Sequence, residues 1–163
     1  MTTKEFTQTT SVNRINTLHP QLTKSAIQVY NSCIKDRIPL HIVCGRRSLE
    51  EQTTIYKYGR TIPGSILTTN RPGYSAHNHG LALDFCLFYD GRMQTWPDAE
   101  KVEYWRWMWI KVVKRFEEEG WSTGFRRQHN YEPGHVENLL DKTMGQWYIE
   151  NYGEIRSNGI KHL

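Results

Sequence analysis

Two stretches of this 163-residue chain concentrate the side chains that bind metals or move protons: Ser75-Ala-His77-Asn-His79-Gly-Leu-Ala-Leu-Asp84 and Glu132-Pro-Gly-His135. Asp84 stands inside the apolar run LALDFCLF, where burying an unpaired carboxylate costs several kcal/mol. A bound metal removes that cost; so does a strand-edge position facing solvent, which is all that Asp84 taken alone requires. His77 and His79 precede it, and Gly80 permits a bend sharp enough to return a loop imidazole toward a strand carboxylate. His77 and Asp84 are therefore two candidate zinc ligands. Catalytic zinc sites commonly use three protein groups and leave a fourth position for water. Glu132-Pro-Gly-His135 supplies the third, because a tight Pro-Gly turn sets a carboxylate three residues before an imidazole, so that His135 binds metal while Glu132 reaches its water. By itself an E-x-x-H tetrad fits a solvated loop acid followed by an exposed or core histidine just as well.

The elements that must position these groups read as follows. Residues 1–11 are Thr-rich and are expected to fray, leaving 12–163 as one domain. Val12, Ile15 and Leu18, then Leu22, Ala26, Val29, Tyr30 and Cys33, recur at helical spacing broken near Pro20, which predicts a helical hairpin or a kinked helix. Residues 38–44 alternate and are β-branched, a strand ending at Gly45. Ser48 and Glu51 form a capping box for a helix that runs to about Tyr58 and stops at Gly59. The stretch 59–80 reads as a functional loop, 81–88 as an apolar strand broken by Asp84, and Tyr89-Asp-Gly91 as a turn. Asp98 is expected to cap a long helix to Glu119 with Val102, Trp105, Trp109, Val112 and Phe116 inward. Residues 121–134 are loop-like, 135–137 form a short strand, and a helical extension begins at about 141. Strands and helices mix without βαβ alternation, so the fold class is α+β.

These motifs carry a family resemblance. Ser75-x-His77-x-x-Gly80-x-Ala82-x-Asp84, the upstream Cys44-Gly-Arg-Arg47-Ser48-x-x-x-Gln52-x-x-x-Tyr56 and the late Glu132-x-x-His135 resemble the D-alanyl-D-alanine metallopeptidase family. That family includes D,D-dipeptidases, carboxypeptidases and the L-alanyl-D-glutamate endopeptidases found as phage endolysins. Tyr58-Gly-Arg-Thr-x-Pro-Gly64, Thr68-Thr-Asn70, Gly73 and His77-Asn-His-Gly80 are especially similar to the endolysin branch, and the similarity runs from about Arg14 to Glu137. The resemblance implies a small antiparallel sheet flanked by helices, of the hedgehog and D-Ala-D-Ala metallopeptidase type. It implies Zn2+ held by His77, Asp84 and His135, with Glu132 as general base and Arg47 stabilising the oxyanion. Ser75, Gln52 and His79 fall at positions near the substrate or the metal shell, although Gln52 also fits a plain helix residue, Ser75 a loop cap and His79 an exposed imidazole. The implied reaction is hydrolysis of the L-Ala-D-Glu bond of the peptidoglycan stem peptide. Glu132, where several endopeptidases carry Asp, keeps D-Ala-D-Ala dipeptidase or carboxypeptidase activity open as an alternative, beside a binding module in which zinc is structural.

The totals bound these expectations. Apolar residues make up 37% and charged residues 23%, as in a soluble globular protein. The net charge of +4 is spread along the chain, with adjacent basic residues only in isolated pairs such as Arg46-Arg47 and Arg126-Arg127, so no phosphate-tracking stripe points to nucleic acid. The first thirty residues lack a secretory signal and no segment reads as membrane-spanning, so the chain is expected to be cytoplasmic until released to the wall, without stable membrane association. A phage protein of this kind implies a holin-type delivery factor. Cys33, Cys44 and Cys86 form no C-x-x-C pair, lie in apolar runs and read as buried free thiols. Trp147, Tyr148 and Tyr152 either grip glycan or pack a terminal helix.

Overall fold

In the computed structural model, which describes residues 3–129 and 131–153, the apolar spacing of the N-terminal region becomes two helices. Helix α1 (Thr3–Ile15) precedes α2 (Pro20–Lys35), whose buried face is Leu22, Ala26, Val29, Tyr30 and Cys33. Pro20 opens α2, where its missing N–H costs nothing. The boundary expected at residue 11 does not coincide with a break, because α1 begins at Thr3 and Ser11 is fully buried. Its last turns cover the free edge of strand β1 (Leu40–Cys44): Ile42 N donates to Ser11 Oγ at 3.1 Å, and Arg14 Nη1 donates to Ile42 O at 2.6 Å. Backbone groups at a sheet edge need such partners, and they anchor the helix in return.

Helix α3 (Leu49–Lys57) starts at the predicted capping box, with Ser48 Oγ accepting from Glu51 N. After the long loop comes the central strand β2 (Ala82–Tyr89), and Asp90 and Gly91, both at positive φ, turn it into β3 (Arg92–Gln94). A two-residue Asp-Gly turn with this geometry closes a tight hairpin. Asp98 does not cap the long helix. Thr95 caps a separate short helix α4 (Trp96–Ala99), in which the Asp98 carboxylate accepts from Thr95 N at 3.3 Å. Helix α5 (Glu103–Glu118) begins after a break, which leaves Val102 at its N-cap, 41% exposed, whereas Trp109, Val112 and Phe116 are buried as expected. Strands β4 (Ser122–Thr123) and β5 (His135–Glu137) and helix α6 (Met144–Tyr152) complete the described chain.

The sheet is antiparallel, in the order β1-β2-β5-β4, with β3 on the end of β2. Alternation along β2 sends Leu83, Phe85 and Leu87 into the core, where Phe85 meets Trp109 and Phe116 at ring distances of 4.9 and 6.1 Å. Asp84 consequently lies on the opposite face, flanked by β1 and β5. Trp147 is buried and Tyr148 stacks on Tyr74 at 4.6 Å, so α6 packs on the domain. Among the described residues no helix is long and apolar enough to cross a membrane.

Candidate active site

The register of β2 against β5 sets His135 directly opposite Asp84, and His135 Nδ1 lies 2.9 Å from Asp84 Oδ1. His77 comes from a single 3₁₀ turn (Ala76–His79), and its Nε2 is 3.3 Å from the same oxygen. Gly80 ends that turn at φ +69, with its carbonyl accepting from His19 N at 2.8 Å; a side chain there would collide with the His19 amide. The bend expected of Gly80 thus depends on the α1–α2 connection packing against it. Proline and glycine of the Glu132-Pro-Gly-His135 turn have equally local reasons. Pro133 O accepts from Trp109 Nε1 at 3.1 Å, and Gly134 O accepts from Phe85 N at 2.8 Å, so closely that a Cβ on Gly134 would stand 2.6 Å from Phe85 O.

Each imidazole presents one nitrogen to Asp84 and engages the other. His77 Nδ1 donates to Gly45 O at 2.8 Å, and His135 Nε2 donates to Glu137 Oε2 at 3.0 Å. Histidines that hold metal are oriented by such outer hydrogen bonds, which leave the inward nitrogen free to ligate. Burial would raise the Asp84 carboxyl, but His135 and His77 beside it hold it far below the usual carboxylate range. Burial would likewise depress His77, and Asp84 and Cys44 instead push it up to about 10; His135 is raised against burial by Asp84 and Glu137. The centre favours positive charge, and two imidazoles with one carboxylate suit a borderline-soft divalent cation such as zinc. The donor set therefore fits that metal.

Arg47 is fixed beside this centre. Its Nη2 is 3.7 Å from Asp84 Oδ2, and its Nη1 donates to Gln52 Oε1 at 2.8 Å. Gln52, fully buried on α3, donates in turn to Asn70 O at 2.8 Å, so it is a link between helix and loop rather than a plain helix residue. The buried Asn78 amide donates to Arg47 O and Ser48 O and accepts from Gly73 N, tying three segments to the turn that carries His77.

Arg47, Ser75, His77, Asp84, Glu132 and His135 line one open cleft of about 300 Å³. The Glu132 side chain is 58% exposed and 3.4 Å from Arg127, which also pairs with Glu137. His79 is not brought to the cleft: its Nε2 donates to Gly73 O at 2.8 Å, and its ring packs near Trp147 and Tyr152. Three groups in or beside the cleft were given no role in the sequence reading. Glu137 is two residues after His135 and so on the same strand face, a signal present in the sequence. Arg127 sits among loop residues that give none. Cys44 was expected to be an inert buried thiol, yet its Sγ lies within 4.8 Å of ligand atoms of His77 and Asp84. Burial raises this thiol, and His77 and Arg47 outweigh burial and lower it.

Residues 15–138 match the family model described as VanY, D-alanyl-D-alanine carboxypeptidase. The chain is 32% identical over 117 residues to the peptidoglycan L-alanyl-D-glutamate endopeptidase CwlK of Bacillus subtilis (strain 168), covering 70% of each protein. Among solved structures, the L-Ala D-Glu endopeptidase ChiX of Serratia marcescens superposes with a TM-score of 0.53 at 16% identity, over 89% of this chain and 91% of that one. The LD-carboxypeptidase LdcB gives a TM-score of 0.56 at 18% identity, over 80% and 68%. These two structural likenesses bear on the fold.

Proposed function

The chain belongs to the D-alanyl-D-alanine carboxypeptidase (VanY) family, and from that premise we propose that it is a zinc-dependent peptidoglycan peptidase that hydrolyses the L-Ala-D-Glu bond of the stem peptide. The observation that carries the chemistry is the convergence of His77 Nε2 and His135 Nδ1 on one Asp84 oxygen, at 3.3 and 2.9 Å, in a cleft that Glu132 also lines. The choice of scissile bond is supported by the activity that CwlK, 32% identical, is named for.

His77, Asp84 and His135 would hold the zinc, which when bound polarises the scissile carbonyl and acidifies water. Glu132 takes the proton of the attacking water and hands it to the departing amine. Its exposure and the length of its ion pair with Arg127, 3.4 Å, leave the carboxylate free to reach the substrate. Arg47, clamped by Gln52, presents a fixed cation to the carbonyl oxygen as negative charge develops there. The cleft that would receive the stem peptide is lined by Arg47, Ser75 and Glu132.

The family description favours a second reading, in which the same groups release a terminal D-Ala or dipeptide. Digestion of defined muropeptides by zinc-loaded protein, followed by mass spectrometry, separates the two. A new amino terminus at D-Glu supports the first; released D-Ala or D-Ala-D-Ala supports the second. No cleavage by protein that holds zinc would leave only a binding module.

A further inference from the structure

Cys44 has no part in the chemistry just described, yet the fold goes out of its way to place it. Strands β1 and β2 pair regularly from Leu40 opposite Leu87 to Ile42 opposite Phe85, and a continued register would set Val43 against Asp84. The register shifts instead, Val43 turns outward to 37% exposure, and Cys44 becomes the partner of Asp84. Residues directly opposite in an antiparallel pair share a face. The bulge therefore aims a thiol, rather than an isopropyl group, at the metal-binding face, which is what bulges beside active sites do.

The surroundings of the sulfur point the same way. Its distance from ligand atoms of both His77 and Asp84 is within 4.8 Å, the span of a shared ion. Arg47 Nη2 donates to Sγ at 3.4 Å and Gly45 O lies 3.5 Å away, so the sulfur is held beside the ligand atoms. Cys33 and Cys86, by contrast, are fully buried in helix and sheet interior.

We propose that Cys44 is a fourth protein ligand to the metal held by His77, Asp84 and His135, bound as thiolate in the substrate-free enzyme. This rests on the zinc-peptidase reading. On ligation the S–H proton is released to solvent and a sulfur–metal bond forms, so the metal gains one ligand and the protein loses one proton. Four protein ligands make a closed tetrahedral set, whereas catalysis needs a vacant position. Cys44 would be the ligand to leave, because its own contacts, 3.5 Å to Gly45 O and 3.4 Å to Arg47 Nη2, are longer than those that orient His77 on Gly45 O and His135 on Glu137, at 2.8 and 3.0 Å. A thiolate also shifts selectivity toward thiophilic cations.

Cobalt(II) reports the ligand directly. Wild-type protein, loaded to one cobalt per chain, is expected to show a thiolate-to-cobalt charge-transfer band in the near ultraviolet that Cys44→Ser and Cys44→Ala both lose while still binding cobalt. Cadmium affinity, measured by chelator competition, is expected to fall at least about tenfold in Cys44→Ser, the least that loss of even an outer partner costs. Wild-type protein that binds cobalt without the band overturns Cys44 ligation and leaves the zinc reading standing. So does a band that persists in both variants. Wild-type protein that binds neither cobalt nor zinc overturns both. The wild-type spectrum decides even if the variants fold poorly.

Discussion

Arg47 Nη1 donates to the Oε1 of a fully buried Gln52 at 2.8 Å, and the same amide holds Asn70 O at 2.8 Å, so one side chain fixes both the cleft cation and the loop beside it. Gln52→Met keeps the volume and removes both bonds. A cation misplaced by a fraction of its reach stabilises the oxyanion poorly, and kcat on a muropeptide substrate is expected to fall about 10- to 100-fold. Loss of the two hydrogen bonds lowers stability by about 1–3 kcal/mol in urea unfolding. An unchanged kcat would show that Arg47 needs no such clamp.

Asp84 is the one carboxylate that both imidazoles approach, so its loss leaves His77 and His135 facing each other at a ring distance of 5.2 Å with no shared acceptor. Asp84→Ala is expected to weaken zinc binding by at least about 100-fold in chelator competition, beyond the cost of losing an outer-shell partner. Zinc affinity equal to the wild type would dismantle the proposed centre.

That His77, Asp84, His135 and Glu132 share one cleft was legible because each stands where its local pattern makes it conspicuous: a carboxylate in an apolar strand, imidazoles beside glycine bends, an acid ahead of a Pro-Gly turn; Arg47 has no such local marker and was singled out only through the family resemblance. The α2 stripe and the Ser48 capping box were legible for the same reason, since both depend on neighbours within one or two turns. What depends on register was not. The bulge at Val43 that turns Cys44 inward has no marker in Ile-Val-Cys-Gly, and strand alternation alone misassigns that residue. Asp98 was misread because two capping signals compete there; Thr95, three residues earlier, starts its own helix and uses Asp98 to do so. His79 shares a turn with His77 but points to the α6 side, an orientation set by its hydrogen bond to Gly73 O and by packing near Trp147 and Tyr152.

The Glu132 side chain is exposed, and among the described residues its ion pair is the 3.4 Å approach of Arg127. Glu132→Gln should therefore leave zinc content unchanged and unfolding free energy within about 0.5 kcal/mol of the wild type, the usual range for surface changes. Turnover, by contrast, is expected to fall about 100- to 10,000-fold, the contribution of a positioned general base. Comparison of kcat with zinc stoichiometry on the same samples checks this. Retained turnover would remove Glu132 from the mechanism.

His41 supplies a pH-dependent term in stability that lies away from the cleft. It is buried on β1 opposite Cys86, its Nδ1 faces Ser11 Oγ at 3.1 Å and its Nε2 faces Arg14 Nη1 at 3.3 Å. Ser11 Oγ already donates to Thr7 O, so the neutral ring gives its proton to Ser11 and accepts from Arg14. A second proton would point at the guanidinium. Burial first, and Arg14 next, accordingly hold His41 below its ordinary value of about 6.5. The unfolded chain then binds more protons than the folded one, so this contribution is complete above about pH 6.5 and is lost as pH falls from there toward the folded value. His77, raised rather than lowered, carries the opposite sign, with a contribution lost as pH climbs above about 6.5. The difference between wild type and His41→Gln isolates the His41 term. Urea unfolding of both proteins between about pH 7 and pH 5 is expected to show the wild type losing ground relative to the variant as pH falls, and parallel profiles would mean that His41 titrates alike in the folded and unfolded chains.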